Sequence, residues 1–233
     1  RPIDKKDALA VAKKYLCSET FEPELKRIFR KNSVGVTKGI PVHYLVQSDN
    51  AHRLADTLVS SLYSNNRLGC ARYTVLDLYH LSARSSDIRE LFRVCSGSTI
   101  IMNCCGLKCT NSDNCTADET IPDILFELIN AYKNEIQFIF TFSNDGPSLP
   151  DAVEEKLGAI TFVKLADDTV ENEDAHKYLR KLCREENTSC DKDLLSLCAK
   201  DTPYRASELM GMYDTWYSNV LKTKIYPCLL YTS

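Results

Sequence analysis

The sequence has few glycines, and one long stretch of it contains no lysine. Only 8 of the 233 residues are glycine, and none lies between Gly39 and Gly69. No lysine occurs between Lys38 and Lys108. A standard phosphate loop needs two glycines and a lysine within a single short segment, because backbone N–H groups and the lysine together hold the phosphates. These gaps exclude such a loop from residues 40–68.

Long apolar runs and a strong net charge are also absent. No apolar run reaches the roughly 20 residues that a membrane-spanning helix needs, and no signal peptide is visible. The net charge of −3 gives no electrostatic argument for binding nucleic acid. The 11 cysteines are an odd number scattered along the chain, which suits a reducing cytosol better than a disulfide scaffold. We therefore predict a cytoplasmic globular protein without a membrane partner.

Both ends of the chain suggest a fragment of a longer protein. The chain begins at Arg1 rather than at a methionine. Its last six residues, CLLYTS at 228–233, look like a translated sequencing adapter, the alternative being a natural apolar terminus. We expect the native sequence to stop near Tyr226 or Pro227 and more protein to follow, and we exclude the tail from the fold prediction.

Apolar segments of strand length alternate with amphipathic helical segments between residues 42 and 163. Such alternation predicts an α/β fold with a five-stranded, mostly parallel sheet and helices on both faces. Two of the strands are nearly continuous apolar runs, as expected for strands buried on both sides. The predicted strands are 43–46, 73–79, 98–103, 137–142 and 159–163. The predicted helix after the first strand ends at Tyr63, and the helices after the next three strands span 85–94, 119–132 and 151–156.

Helical patterns flank this α/β region at both ends. Residues 1–37 predict an N-terminal helical segment, with helices over 4–16 and 22–31. After an α/β core over 38–166, residues 167–226 show helical periodicity and no strand pattern. We expect this second region to be a small all-helical domain, with helices at 173–185, 191–199 and 204–221.

The segment Val42–Tyr63 lies at the centre of the predicted core. It consists of a buried strand, the short turn Gln47-Ser48-Asp49-Asn50, and an amphipathic helix. Asp49 or Asn50 is expected to cap the helix through its side chain. Arg53, inside the first helical turn, is the nearest positive charge.

The order of these elements resembles the AAA+ ATPase module, which has a P-loop NTPase-like α/β core followed by a helical lid. Five stretches carry the resemblance. Residues 42–63 match the family's phosphate-loop strand and helix, 98–103 its Walker B strand, and 138–145 (FIFTFSND) its sensor-1 strand. Residues 149–165 match the helix and strand that follow sensor 1, and 195–209 (LSLCAKDTPYRASEL) match the lid. The resemblance implies Mg²⁺–ATP as ligand, and other AAA+ modules or subunits as partners in a ring or a tandem chain.

The residues that carry phosphate chemistry in that family are missing from these stretches. The turn after Val46 has about four residues, and it lacks the glycines and the lysine. The strand at 98–103 runs into Cys104 and Cys105, so both Walker B acid positions are empty. Without a lysine and a metal-binding acid, phosphoryl transfer loses its positioning and its charge stabilisation.

Five residues mark the degenerate nucleotide pocket that the resemblance implies: Ser48, Asp49, Asn50, Arg53 and Asn144. Ser48 could contact a magnesium ion. Asn144 matches the sensor-1 position, although Asn-Asp-Gly-Pro at 144–147 is also a strong turn sequence. We predict no catalytic residue, no metal ligand and no bound cofactor, with ATP and Mg²⁺ as the alternative.

Two further arginine positions of the family have no match here. Ser207 stands where many members carry the sensor-2 arginine of the lid, and Arg205 lies two residues earlier. No arginine occurs between Arg93 and Arg180, so an arginine finger after the helix at 151–156 is missing as well.

Three functional hypotheses follow. The leading one is a catalytically degenerate AAA+-like module with a structural or regulatory role in a larger ATPase assembly. The first alternative is an ATP-binding and ATP-hydrolysing remodelling ATPase with a non-standard phosphate loop. The second alternative is a metal-binding module, because four cysteine thiols could hold zinc. These are Cys104, Cys105, Cys109 and Cys115, and their spacing is not the paired spacing usual in zinc sites.

Overall fold

The computed structural model describes six ranges of the chain, namely 2–30, 40–65, 67–81, 84–107, 121–145 and 149–229, with 222–229 as backbone only. The chain divides into two compact units, Arg1–Ala166 and Asp167–Ser233. The predicted loops at 32–41 and 104–117 lie largely outside the described residues, as do the first two residues of the helix predicted at 119–132.

A five-stranded sheet forms the centre of the first unit. Its strands are β1 (His43–Gln47), β2 (Tyr73–Asp77), β3 (Thr99–Asn103), β4 (Gln137–Phe142) and β5 (Phe162–Ala166). They lie in the order β2-β3-β4-β1-β5, and every pairing is parallel. Parallel neighbours need crossover connections, and each pair of consecutive strands is joined through a segment that contains a helix. The predicted α/β fold class is confirmed.

Helices cover both faces of this sheet. The helices α1 (Lys5–Lys14), α2 (Ser18–Ile28) and α3 (Ala51–Ser64) pack on one face, and α4 (Ser85–Val94), α5 (Asp123–Tyr132) and α6 (Leu149–Lys156) pack on the other. Successive side chains of a strand point to opposite faces. In β1, Tyr44 and Val46 therefore join the first cluster and Leu45 joins the second. This two-sided burial explains the continuous apolar runs of β3 and β4.

The second unit contains three helices and a short β-ribbon. The helices are α7 (Asn172–Glu185), α8 (Lys192–Ser196) and α9 (Ala206–Leu229). The ribbon pairs β6 (Thr169–Val170) with β7 (Tyr204–Arg205) in antiparallel fashion. The prediction that this region contains no strand is therefore wrong in detail, because a two-residue strand is too short to show an alternating pattern. Its core includes Leu179, Leu194 and Leu209, all at 0% exposure.

Some helix and strand boundaries differ from the predicted ones. The helix α2 begins at Ser18 rather than at residue 22, so that Pro23 lies inside it; burial of Phe21 compensates for the one hydrogen bond that the proline removes. β5 begins at Phe162 rather than at residue 159, because residues 157–160 extend the turn after α6. In the part of the chain that the structure describes, no helix has both the length and the apolar content to cross a bilayer.

Candidate functional site

The candidate residues lie where β1, β3 and β4 end. In parallel α/β sheets, ligands bind in the crevice outside the carboxyl ends of the strands. β1 ends at Gln47, β3 at Asn103 and β4 at Phe142, on adjacent or next-adjacent strands. This carboxyl edge of the sheet is therefore the place to test for nucleotide binding.

Ser48 organises the turn that follows β1. Its backbone N–H donates to the carbonyl of Phe142 at 2.9 Å, which ties the turn to β4. Its hydroxyl oxygen accepts from the backbone N–H of Asn50 at 3.0 Å. Ser48 is fully buried, so its hydroxyl is already engaged in holding the turn.

The predicted side-chain cap of α3 is not formed by Asp49 or Asn50. Asn50 takes the N-cap position, but its side chain makes no capping hydrogen bond. The Ser48 hydroxyl bonds the Asn50 N–H instead, and Asp49 turns toward β4. The Ser48 hydroxyl competes with the Asp49 and Asn50 side chains for the backbone N–H groups at the start of α3. The sequence pattern alone does not show which of these side chains forms the bond.

Asp49 and Asn144 meet across the edge between β1 and β4. The backbone N–H of Asn144 donates to Asp49 Oδ1 at 3.2 Å. The position beside the α3 N-terminus, which favours an anion, thus already has a carboxylate near it. The structure brings these two predicted residues together at the expected junction.

Arg53 is exposed on α3 and takes part in different contacts. Its carbonyl accepts from the Thr57 hydroxyl at 2.9 Å. Burial, followed by the hydrogen bond to Asp56, raises the pKa of Tyr73 to about 12, and the charge of Arg53 opposes that rise.

Asn103 occupies the carboxyl end of β3. Its Oδ1 accepts from the backbone N–H of Cys105 at 3.1 Å and from the Thr141 hydroxyl at 3.2 Å. A neutral amide therefore links β3, β4 and the following turn. The missing acids are evident from the sequence, but the role of Asn103 as this hydrogen-bonding centre is not. The available signal was a polar residue that directly ends an apolar strand.

The pKa of the Cys105 thiol shows how nearby charges affect the carboxyl edge. Burial is the main cause that raises the pKa of its thiol; the hydrogen bond from Thr141 lowers it, and the carboxylates of Asp49 and Asp77 raise it further. Negative charges therefore act on the centre of the candidate site. A like-charge contact at 4 Å costs about 1 kcal/mol in water and about 4 kcal/mol near a protein surface, so these carboxylates disfavour a polyphosphate here.

Only half of the proposed four-cysteine metal site falls within the structure. Cys104 is buried beside Cys105, whereas Cys109 and Cys115 lie outside the described residues. Across the residues that are described, no three His, Cys, Asp or Glu side chains are arranged to share a metal ion. Burial raises the pKa of the Cys104 thiol well above its usual range, which opposes the thiolate that a metal would need.

The second unit shows what occupies the sensor-2 position. The Ser207 hydroxyl donates to Asp167 Oδ2 at 2.7 Å. Arg205 lies in β7 rather than in α9, and its backbone N–H donates to Glu208 Oε2 at 2.9 Å. Ser207 and Arg205 therefore both lie at the junction between the ribbon and α9.

A cavity lies at the opposite, amino edge of the sheet, and sequence analysis did not predict it. Its volume is about 180 Å³. Its polar lining is partly bonded to the fold: Gln137 donates to the Val42 carbonyl at 2.9 Å and accepts from Thr99 at 3.0 Å. Ser96 likewise donates to Glu135 at 2.7 Å. The cavity is lined by Ile40, Pro41, Arg67, Leu68, Gly69, Gly97, Ser98, Glu135 and Gln137.

The similarity of this chain to known proteins is weak. The sequence matches no protein-family model, and no curated protein matches it. Among solved structures, the chain is similar to a replication initiator DnaA bound to AMPPCP and single-stranded DNA, with 12% identity, a TM-score of 0.43, and 87% of this chain and 63% of that chain covered. It is also similar to a RuvB mutant from Thermotoga maritima, with 12% identity, a TM-score of 0.37, and 92% and 73% covered.

With TM-scores below 0.5, neither likeness carries an argument about this chain. The chain spans less than two thirds of the length of the DnaA chain. The residues at the carboxyl edge must therefore supply any argument about function.

Proposed function

We propose that this chain is an AAA+-like module that does not hydrolyse ATP and that acts as a structural or regulatory part of a larger ATPase assembly. One observation carries the proposal: the carboxyl edge has Asp49 and Asn103 where phosphate chemistry needs a cation and a metal-binding acid. Phosphoryl transfer relies almost entirely on positioning and on positive charge around the phosphates. Within the ranges that the structure describes, this charge pattern offers neither at the ends of β1 and β3.

The hydrogen bonds at this edge support the same conclusion. Ser48, the one hydroxyl that could bind Mg²⁺ in the β1 turn, is buried and bonded to Asn50. Asp49 is bonded to the backbone of Asn144. A nucleotide would have to break these contacts before it could form its own, and breaking them would cost part of its binding energy.

The proposed partners are other AAA+ modules or subunits, packed beside this one in a ring or joined to it in a tandem chain. The AAA+-like fold motivates this proposal, because such a module can pack against its neighbours without binding a nucleotide itself. Sedimentation velocity of the protein with and without Mg²⁺–ATP tests whether its oligomeric state depends on the nucleotide. The sedimentation profile should be the same in both, and an ATP-dependent change in oligomeric state would contradict the proposal.

Phosphate release from Mg²⁺–ATP tests the absence of hydrolysis. The assay compares the wild-type protein with Asn144→Ala, at the carboxyl edge, and with Asn134→Ala, an exposed residue of the turn before β4. All three proteins should release phosphate at the rate of the blank. A wild-type rate above the blank that falls in Asn144→Ala but not in Asn134→Ala would favour the alternative, an ATPase with a non-standard phosphate loop.

A further inference from the structure

We infer that the cavity at the amino edge of the sheet binds a small zwitterion, namely an amino acid with an apolar side chain. The inference is independent of the proposed function, because this cavity lies at the edge opposite the candidate nucleotide site. It rests on the charges, the hydrogen bonds and the apolar wall of the cavity.

Glu135 contributes a carboxylate to the cavity. Its backbone N–H donates to the Tyr132 carbonyl, at the end of α5, at 2.9 Å. Its Oε2 accepts from the hydroxyl of Ser96, which lies two residues beyond α4, at 2.7 Å. The acid is therefore held beside the C-terminal ends of two helices, and it is exposed.

The fold does not neutralise this carboxylate. The C-terminal end of a helix carries partial negative charge and favours a cation over an anion. In the ranges that the structure describes, the Glu135 side chain forms no ion pair, and its one hydrogen bond comes from Ser96. A cationic group of a ligand would compensate both the carboxylate and the two helix ends.

Arg67 supplies the opposite charge in the same cavity. It follows α3, and its backbone N–H donates to the Leu62 carbonyl at 2.9 Å. The residue is half-buried and lines the cavity together with Glu135. A guanidinium has several N–H donors, so it can bond a ligand carboxylate as well as a group of the protein. The lining thus carries one charge of each sign, and a zwitterion matches both.

The rest of the lining favours an apolar ligand body. Ile40, Pro41 and Leu68 form an apolar wall, and Ile40 is 61% exposed. The amide of Gln137 is already bonded to the fold, so it does not ask for a polar ligand group. The volume of about 180 Å³ exceeds the roughly 150 Å³ of a cavity that holds benzene.

L-leucine has the parts that this lining calls for. Its ammonium group would pair with Glu135 and its carboxylate with Arg67. Its branched side chain would cover Ile40 and gain the free energy of removing apolar surface from water. A plain amine would meet the like charge of Arg67, and a plain carboxylic acid would meet that of Glu135.

A ¹H–¹⁵N NMR titration of the full chain with L-leucine tests the inference and locates the site. Gly69 and Gly97 line the cavity, whereas Gly211 lies in α9 of the second unit. We expect the amide signals of Gly69 and Gly97 to shift saturably while that of Gly211 stays unchanged. For a ligand of this size we expect a Kd of about 1 mM or lower.

Two analogues that each lack one charge separate the two ionic contacts. L-leucinamide has no carboxylate, and 4-methylpentanoate has no ammonium group. Each should bind about tenfold more weakly than L-leucine, because it loses a charge-assisted hydrogen bond and leaves one charged side chain without a partner.

Glu135→Gln makes the test specific to the cation contact. Glutamine keeps an oxygen that accepts from Ser96, so only the charge is removed. This variant should bind L-leucine about tenfold more weakly without losing affinity for 4-methylpentanoate. The control Glu127→Gln removes a carboxylate of α5 that is 69% exposed and lies outside the cavity lining, and it should bind L-leucine as the wild type does.

Three results would overturn the inference. The first is the absence of a saturable shift at Gly69 and Gly97 at L-leucine concentrations tenfold above the expected Kd. The second is equal affinity of wild type and Glu135→Gln for L-leucine. The third is binding of either analogue as tightly as L-leucine, because the site would then not select a zwitterion.

Discussion

The two edges of the sheet use their polar residues in different ways. At the amino edge, polar side chains bond to one another and to the backbone, as Gln137 does with Thr99 and Val42. At the carboxyl edge, the turns carry an exposed carboxylate, Asp49, and a neutral amide, Asn103, where the AAA+ resemblance predicts phosphate ligands. Both edges are thus held by hydrogen bonds, but an exposed carboxylate is bonded to the backbone at the carboxyl edge.

A buried ionic network near the amino end of β1 illustrates the difference. The Tyr44 hydroxyl donates to Glu24 Oε1 at 2.6 Å, and Arg27 donates to both oxygens of the same carboxylate at 2.8 and 2.7 Å. Glu24 is 7% exposed and Tyr44 is fully buried. This network fastens α2 to the central part of the sheet, whereas Asp49 makes one contact at the surface.

The largest predicted effect comes from Glu24→Ala. This substitution leaves the buried Tyr44 hydroxyl and the half-buried Arg27 guanidinium without their acceptor. We expect the free energy of unfolding to fall by about 2–3 kcal/mol, below the usual range for a broken buried pair because Arg27 is partly solvated. Urea unfolding measures the loss. The matched carboxylate change Asp49→Asn should cost about 0.5 kcal/mol, and equal losses in the two variants would remove the contrast between the edges.

The next effect is a dependence of stability on pH that comes from His43. Its Nδ1 accepts from the Phe138 N–H at 3.1 Å, so Nε2 carries the proton and faces the Lys133 carbonyl at 2.9 Å. Only the neutral ring satisfies both bonds. Burial is the main cause that lowers the pKa of His43, the bond to the Lys133 carbonyl opposes it, and the Lys133 charge lowers it further.

The sign of this pH effect follows from the lowered pKa. The unfolded chain takes up a proton near pH 6.5, before the folded protein does. The contribution of His43 is therefore complete above about pH 6.5 and is lost as the pH falls toward the folded pKa. Urea unfolding at pH 7.5 and 5.5 should show less acid destabilisation in His43→Gln than in the wild type. His52→Gln, a change at an exposed residue, should match the wild type, and identical behaviour of all three proteins would count against this role.

The smallest predicted effect concerns the charge of the carboxyl edge. Removing two carboxylates with the double variant Asp49→Asn, Asp77→Asn should make the Cys105 thiol easier to ionise, because both acids raise its pKa. We expect Cys105 to be alkylated by iodoacetamide about fourfold faster at pH 8, because each of the two charges removed contributes about twofold across roughly 10 Å of water. Cys95, buried at the other end of β3, is the reference thiol. An unchanged Cys105 rate would mean that the edge is not electrostatically negative.

The parts of the fold with strong periodic patterns were predictable from the sequence. β4 at Gln137–Phe142 and α4 at Ser85–Val94 have the bounds that their apolar patterns predict. Arg84 takes the N-cap position of α4 and makes no side-chain capping bond. The β6–β7 ribbon escaped prediction, because two-residue strands carry no detectable period.

The candidate site was predictable in its place but not in its contacts. The position of the β1 turn and the absence of lysine and acids could be taken directly from the sequence. The bonds of Asp49 to Asn144 and of Asn103 to Thr141 join residues 95 and 38 positions apart, and no local pattern encodes such pairs. The amino-edge cavity depends on how four separate segments pack, which a single sequence does not specify either.

Isothermal titration calorimetry of the full chain with Mg²⁺–ATP tests the central claim, that the carboxyl edge has lost its nucleotide site, most directly. The account predicts no saturable heat with ATP up to about 1 mM, a concentration at which a binding free energy of about −4 kcal/mol would be detected. Saturable binding with a micromolar Kd that requires Mg²⁺ would contradict it.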